Sequence, residues 1–326
     1  MNDIYQQPPP NTIKLEPTEG CTLACWFCAI QSIRNNGADR ATQTNGKTSG
    51  PFKFMTVETA ERIASQVAEA GWSPRWEIAG RGEPTANAKL VEIVAAIRRH
   101  CPRSYILLTT NGSGLALRPE RTRQLFDAGV NALALDDYKH APYVAKILNY
   151  VRMGLFDFPL MEYPQDLRAN PYQRTPAKVH RFILLRDITE GGGVRTLTNQ
   201  GGGSGNGELL LLRESCAKPF REMTFRHDGR VALCCDDWRG EFHLPTIHEA
   251  GILELWLHPR LDAARRLLLR KDRRFAPCHR CNVRTKRNGL LPDKMGQEKA
   301  LMGPINPQTK ELILAATSGK PLTVKS

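Results

Sequence analysis

Between Thr12 and Leu185 the chain alternates short apolar runs with amphipathic stretches of helical period, about five or six times over. Thr12 to Glu16 alternates apolar and polar residues as a strand does. Phe54 to Gly71 reads as a helix: Thr56 is the predicted N-cap, Ala60, Ile63, Ala64, Val67 and Ala68 form one face, and Gly71 stops it. Trp76 to Ala79 is the next strand, and Asn87 to His100 the next helix, with Leu90, Ile93, Val94 and Ile97 on its buried side. The series continues with a strand over Tyr105 to Leu108, a helix over Arg118 to Ala128, a strand over Asn131 to Leu135 and a helix over Tyr138 to Met153. Further strands are predicted near Phe156 to Glu162 and Val179 to Leu185. Such an order requires parallel strands joined by right-handed crossovers, which is an α/β fold.

In barrels of this kind functional residues gather at the C-terminal ends of the strands. Four sequence features fall there. Cys21, Cys25 and Cys28 follow the first strand within eight residues. Gly80-Arg81-Gly82-Glu83-Pro84 follows the second, Thr109-Thr110-Asn111-Gly112 the third, and Asp136-Asp137 the fourth. Three closely spaced thiolates can cap three irons of a [4Fe–4S] cube and leave the fourth open. The same cysteines are also open to a zinc site, a disulfide framework or redox chemistry, although structural zinc usually takes four protein ligands.

Composition narrows the setting. The 326 residues are 41% hydrophobic, enough for one large domain and a small one. No run of about 18 apolar residues is present, so no membrane span is expected. Met1 to Asn11 lacks the succession of a secretory signal. Nine cysteines without such a signal predict a cytoplasmic protein whose thiols serve metals or chemistry. The net charge of +13, with many cations between Arg260 and Arg274 and between Arg280 and Arg287, is what a polyanion-binding surface would carry. A soluble protein from a basic proteome would carry it equally well.

Gln31 to Pro51 is polar and reads as a long loop. Gly191 to Gly207 holds two glycine triplets around Thr198-Asn199-Gln200 and, lacking Gly-Lys-Ser/Thr, is no phosphate-binding loop. A linker or lid is expected there. The predicted organisation is a flexible segment over 1–11, a barrel over 12–190, the linker over 191–207, a small second domain over 208–296 and a tail over 297–326. Five cysteines fall in the later part: Cys216, Cys234, Cys235, Cys278 and Cys281.

Cys21-x3-Cys25-x2-Cys28, with Phe27 before the last cysteine, resembles the signature of the radical S-adenosylmethionine (radical SAM) superfamily. Gly80 to Pro84 resembles that family's glycine–glycine–glutamate–proline turn, with Arg81 between the glycines. The resemblance covers roughly residues 12 to 190 and implies a partial (βα)6 TIM-like barrel. It implies that Cys21, Cys25 and Cys28 hold a [4Fe–4S] cluster whose open iron chelates SAM. Reductive cleavage of SAM would then give methionine and a 5′-deoxyadenosyl radical. Gly80, Gly82 and Glu83 would hold the SAM amino group, Phe27 would lie near the adenine, and Asn111 and Asp136 would reach ribose or substrate. An ordinary turn is an equal reading of Asn111-Gly112. Tyr138 and Arg152 are further rim residues expected near substrate, with Asp136 and Tyr138 able to relay a proton or hydrogen atom.

Cys216, Cys234 and the Cys278-x2-Cys281 pair resemble the twitch domain, the shortened relative of the SPASM domain. The resemblance implies one auxiliary [4Fe–4S] cluster on those four cysteines, formed as Asp228-Gly229-Arg230 turns a hairpin. Cys235 neighbours Cys234 and points the other way on a strand, so only one of them ligates easily. Cys101 reads as a buried spare thiol, and the histidines show no metal-like spacing. The implied activity is hydrogen-atom abstraction from a nucleotide or nucleic-acid base, a sugar or a peptide, leading to oxidation, isomerisation or another modification. A reductant such as flavodoxin or ferredoxin is the implied partner. A zinc-bearing nucleic-acid-binding protein with a non-catalytic barrel is the competing reading.

Overall fold

A computed structural model describes residues 7–23, 25, 27–30, 52–137, 142–155, 160–163, 182–187, 198–204 and 211–283. The loop predicted over 31–51, the tail over 297–326 and Tyr138 lie outside the described residues. The strands are β1 (Thr12–Leu15), β2 (Thr18–Glu19), β3 (Lys53–Phe54), β4 (Arg75–Ile78), β5 (Ile106–Thr110), β6 (Ala132–Asp137), β7 (Leu160–Tyr163), β8 (Phe182–Asp187), β9 (Glu222–Phe225) and β10 (Val231–Ala232). Eight of them form one sheet in the order β10-β9-β1-β4-β5-β6-β8-β7, while β2 and β3 make a small antiparallel pair. All pairs in the large sheet are parallel except β9 with β10. This is the α/β architecture that the strand–helix alternation requires.

The local chemistry predicted for the helices is visible in place. Thr56 caps the Val57–Glu69 helix by accepting from the Thr59 amide, and Ala60, Ile63, Ala64 and Val67 are buried. Ala68 is exposed, so the buried stripe is narrower than the apolar pattern suggests. The Leu90–His100 helix buries Leu90, Ile93, Val94 and Ile97 as its period dictates. A short helix over Ser113–Leu117 carries no readable amphipathic signal and was not predicted; it starts at Gly112, whose φ of 79° turns the chain out of β5.

The C-terminal part does more than follow the sheet. β9 lies parallel to β1, with Thr12 opposite Glu222 and Leu15 opposite Phe225, so β1 becomes an interior strand. One core cluster joins Ile13, Leu15 and Trp76 to Met223, Phe225 and Trp256. Trp72 meets Trp256 edge to face with ring centroids 6.3 Å apart, a favoured quadrupole geometry.

Several late arginines are interior. Arg260, Arg265 and Arg273 are 6%, 1% and 1% exposed. Arg265 donates to the Pro219 and Trp256 carbonyls at 2.9 and 2.8 Å and lies over the Trp256 ring at 4.1 Å. Arg273 donates to the carbonyls of Glu214, Ser215 and Val283. Arg265 and Arg273 thus satisfy backbone acceptors inside the fold, and all three buried guanidinium groups are withdrawn from direct contact with a polyanion. Among the described residues, no helix is long and apolar enough to cross a membrane.

Candidate cofactor site

Cys21 leaves β2 directly, and its approach is set by the Gly80–Pro84 turn. Gly20 and Gly82 form a parallel bridge; Gly20 donates its amide to the Arg81 carbonyl at 3.3 Å, and Glu83 donates its own to the Gly20 carbonyl at 2.9 Å. A Cβ on Gly82 would stand 2.4 Å from both the Gly20 and Thr18 carbonyl oxygens. Only glycine lets the two backbones run this close. Gly80 has φ +125° and lies against the Glu16 side chain.

Glu83 is turned inward. Its Oε1 accepts from the Thr85 amide at 2.9 Å and from the Thr85 and Thr110 hydroxyls at 2.5 Å each, while Oε2 accepts from the Asn111 amide at 2.8 Å. Burial pushes its carboxyl above the ordinary range, and the hydrogen bonds from Thr110, Thr85 and Asn111 pull it back. Glu83 thus ties the end of β4 to the end of β5. Asn111 carries the link onward: its Nδ2 donates to Cys21 Sγ at 3.5 Å and to Thr22 Oγ1 at 3.2 Å. Thr22 in turn pairs with the Ser113 hydroxyl at 2.8 Å.

The three N-terminal thiols are near enough to act on one another. Burial pushes Cys21 up to about 12, with Glu83, Cys28 and Cys25 adding to the rise. Cys28 is pushed up to about 11, again by burial first and then by Cys25. Burial also raises Cys25, and the Asp136 carboxylate adds to it. Asp136 therefore stands close to the cysteine loop, as does buried Phe27 within the loop itself. Arg152 is not brought there. It is exposed in the last turn of the Pro142–Arg152 helix, which runs back from the strand ends where the cysteines lie.

Cys216, Cys234, Cys278 and Cys281 are all buried. Burial raises the Cys278 thiol well above its usual range, with Cys216 and Cys281 adding to it. The two thiol sets share a detail: the amide two residues on points at sulfur, Leu23 to Cys21 Sγ at 3.4 Å and Val283 to Cys281 Sγ at 3.5 Å. Cys235 has Lys218 Nζ 3.0 Å from its sulfur, and the Glu222 carboxylate accepts from its amide at 3.1 Å. Among the described residues no three His, Cys, Asp or Glu side chains close round a single-ion position.

A buried charge network, which the sequence does not announce, joins the turn to the C-terminal part. Arg81 donates to Glu16 Oε2 at 2.8 Å, pairs with Glu19 at 2.8 Å and reaches the Trp238 carbonyl at 3.2 Å. Arg226 meets the same Glu16 oxygen at 3.2 Å and donates to the Asp237 carbonyl. Trp238 packs with Ala29 and Ile30 against Cys21 and Cys28.

Residues 15–149 match the radical SAM superfamily, and residues 216–282 match the iron–sulfur cluster-binding SPASM domain. The chain belongs to the radical SAM superfamily and carries a SPASM-type auxiliary domain. Over 121 residues it is 29% identical to a GTP 3′,8-cyclase of Pectobacterium atrosepticum and 30% identical to one of Klebsiella pneumoniae subsp. pneumoniae. That stretch is 37% of this chain and 32% of each enzyme, so the match spans about a third of these curated relatives. Among solved structures, BtrN in complex with AdoMet and 2-DOIA is similar with a TM-score of 0.62 at 18% identity, over 85% of this chain and 95% of that one. BtrN in an open conformation gives 0.55 at 15% identity, over 85% and 94%. At these identities the likeness is one of fold.

Membership of this family brings a [4Fe–4S] cluster, SAM and auxiliary iron–sulfur ligation. The donors fit that chemistry: both sets are thiols alone, half-buried in the N-terminal loop and buried in the C-terminal part, and each set is approached by N–H groups that hydrogen-bond sulfur, as around cluster thiolates.

Proposed function

We propose that this chain cleaves SAM reductively at a cluster held by Cys21, Cys25 and Cys28 and uses the product to abstract a hydrogen atom from a small substrate. The observation that carries the proposal is the Glu83–Asn111–Cys21 chain of hydrogen bonds, which ties two strand ends to the cysteine loop. When bound, the cluster and SAM supply the hard step, homolysis of the sulfonium C–S bond to a 5′-deoxyadenosyl radical. The protein's work is to position and exclude. Gly80 and Gly82 would present backbone carbonyls to the SAM amino group. Glu83, with every contact above directed inward, acts as the brace of that turn. Asn111 orients Cys21, Phe27 shields the loop on its buried side, and Asp136 is placed to accept or return a proton near substrate.

Cys216, Cys234, Cys278 and Cys281 would hold one auxiliary [4Fe–4S] cluster that takes the substrate electron, making the net reaction an oxidation. A flavodoxin or ferredoxin is the proposed electron source. For the substrate, the similarity to GTP 3′,8-cyclases supports testing nucleotides first. The burial of Arg260, Arg265 and Arg273 removes part of the support for a large polyanion.

Anaerobic iron and sulfide counting tests the proposal: about eight irons per chain are expected, falling to about four in Cys28→Ala together with all SAM cleavage. Cys281→Ala is expected to keep SAM cleavage but uncouple it from substrate. Zinc without sulfide, or undiminished cleavage in Cys28→Ala, would remove the enzyme reading.

A further inference from the structure

We infer that the Thr198–Ser204 turn is a strut that sets the position of the N-terminal cysteine loop relative to the Cys278–Cys281 pair. Two of its side chains point opposite ways. Gln200 Oε1 accepts from the Ala29 amide at 2.6 Å, one residue beyond Cys28, where the backbone turns helical. Asn199 is fully buried and grips the other set: its Nδ2 donates to the Arg280 carbonyl at 2.6 Å, and its Oδ1 accepts from the Asn282 amide at 3.1 Å. The Asn199 amide donates back to Asn282 Oδ1 at 2.7 Å, and Thr198 donates to Asp236 at 3.0 Å. Residues on both sides of Cys281, and Asp236 beyond Cys234, are therefore held by the same few residues that hold Ala29.

The glycine triplet is what lets the strut fit. A Cβ on Gly201 would stand 2.3 Å from the Asp236 carbonyl oxygen, one on Gly202 would stand 2.7 Å from Arg280 Cβ, and one on Gly203 would stand 2.7 Å from Ala29 Cβ. Three neighbours, two on the auxiliary side and one on the barrel side, press on three successive residues. Gln200 itself takes φ 50°, a left-handed conformation that costs a non-glycine residue on the order of 1 kcal/mol. Strain of that kind persists where the surroundings impose it, and here the imposing contacts are the grips on Ala29 and Arg280.

That the two loops carry clusters rests on the function proposed above; the strut itself does not, and it is tested on a separate signal. The experiment is hydrogen exchange of the Ala29 amide in the anaerobically reconstituted protein, with iron and sulfide counted on the same samples. Gln200→Ala is expected to speed that exchange roughly five- to tenfold, as loss of one hydrogen bond does. Gln200→Glu keeps an acceptor and is expected to restore the slow rate. Asn282→Ala removes a grip on the far side only, and is expected to speed exchange at Ala29 as well. An unchanged rate in Gln200→Ala overturns the contact. A response to Gln200→Ala without one to Asn282→Ala overturns the strut and leaves a local cap. A shortfall of iron with these exchange effects intact would instead count against the two-cluster reading.

Discussion

Gly82 shows how narrow the tolerance at the site is. Its missing Cβ is what allows two carbonyl oxygens at 2.4 Å from the position where that atom would sit. Neither obstacle is a side chain that can swing away, so Gly82→Ala must separate the turn from the strand that delivers Cys21. A loss of roughly 2–4 kcal/mol in unfolding free energy is expected, with SAM binding weakened in step. Denaturant melts and SAM binding by equilibrium dialysis would check both; an unchanged midpoint would contradict the backbone contact. The motif was legible in the residues, since glycines around a Glu-Pro pair at a strand end already suggest close approach. The part played by Glu83 was not. Its spacing suggests a side chain for the SAM amino group, whereas folding surrounds it with Thr85, Thr110 and the Asn111 amide.

At the scale of elements, the joint between the β4 turn and the C-terminal part is ionic and buried. Glu16, Arg81 and Arg226 are 3%, 7% and 5% exposed at their side chains. Removing one partner from such a group leaves a buried charge without compensation, at a cost of about 3–5 kcal/mol. Arg226→Met is therefore expected to lower stability by about that much, measured by denaturant unfolding under anaerobic conditions. A variant within 1 kcal/mol of the parent would show the network to be dispensable. Sequence periodicity placed most helices and strands here because burial of one face leaves a regular spacing. It could not reveal this network: Glu16, Arg81 and Arg226 are 65 and 145 residues apart in successive steps and show no pattern until β9 lies beside β1.

For the whole molecule, the decisive fact is that β9 covers the edge of β1. A chain truncated before Glu208 would expose that edge and the apolar surface now covered by Met223, Phe225 and Trp256. Exposed edges of this kind pair with other chains. Residues 1–207 alone are expected to aggregate or fail to fold, as judged by light scattering and circular dichroism. A soluble, monomeric, cooperatively melting fragment would show that the barrel portion is self-sufficient.

The class of chemistry was written in local order. Cysteines close in sequence stay close in space whatever the rest of the chain does, and strand–helix alternation leaves few topologies open. That is why Cys21, Cys25 and Cys28, the Gly80–Pro84 turn and the α/β architecture could all be read from the residues. What joins the parts depends on contacts across long stretches of chain. The inward brace of Glu83, the burial of late arginines that looked like surface charge, and the grip of Asn199 and Gln200 on the two thiol loops arise only when distant segments pack. Net charge and glycine content carry no record of which groups end up facing each other, and tertiary structure alone decided those.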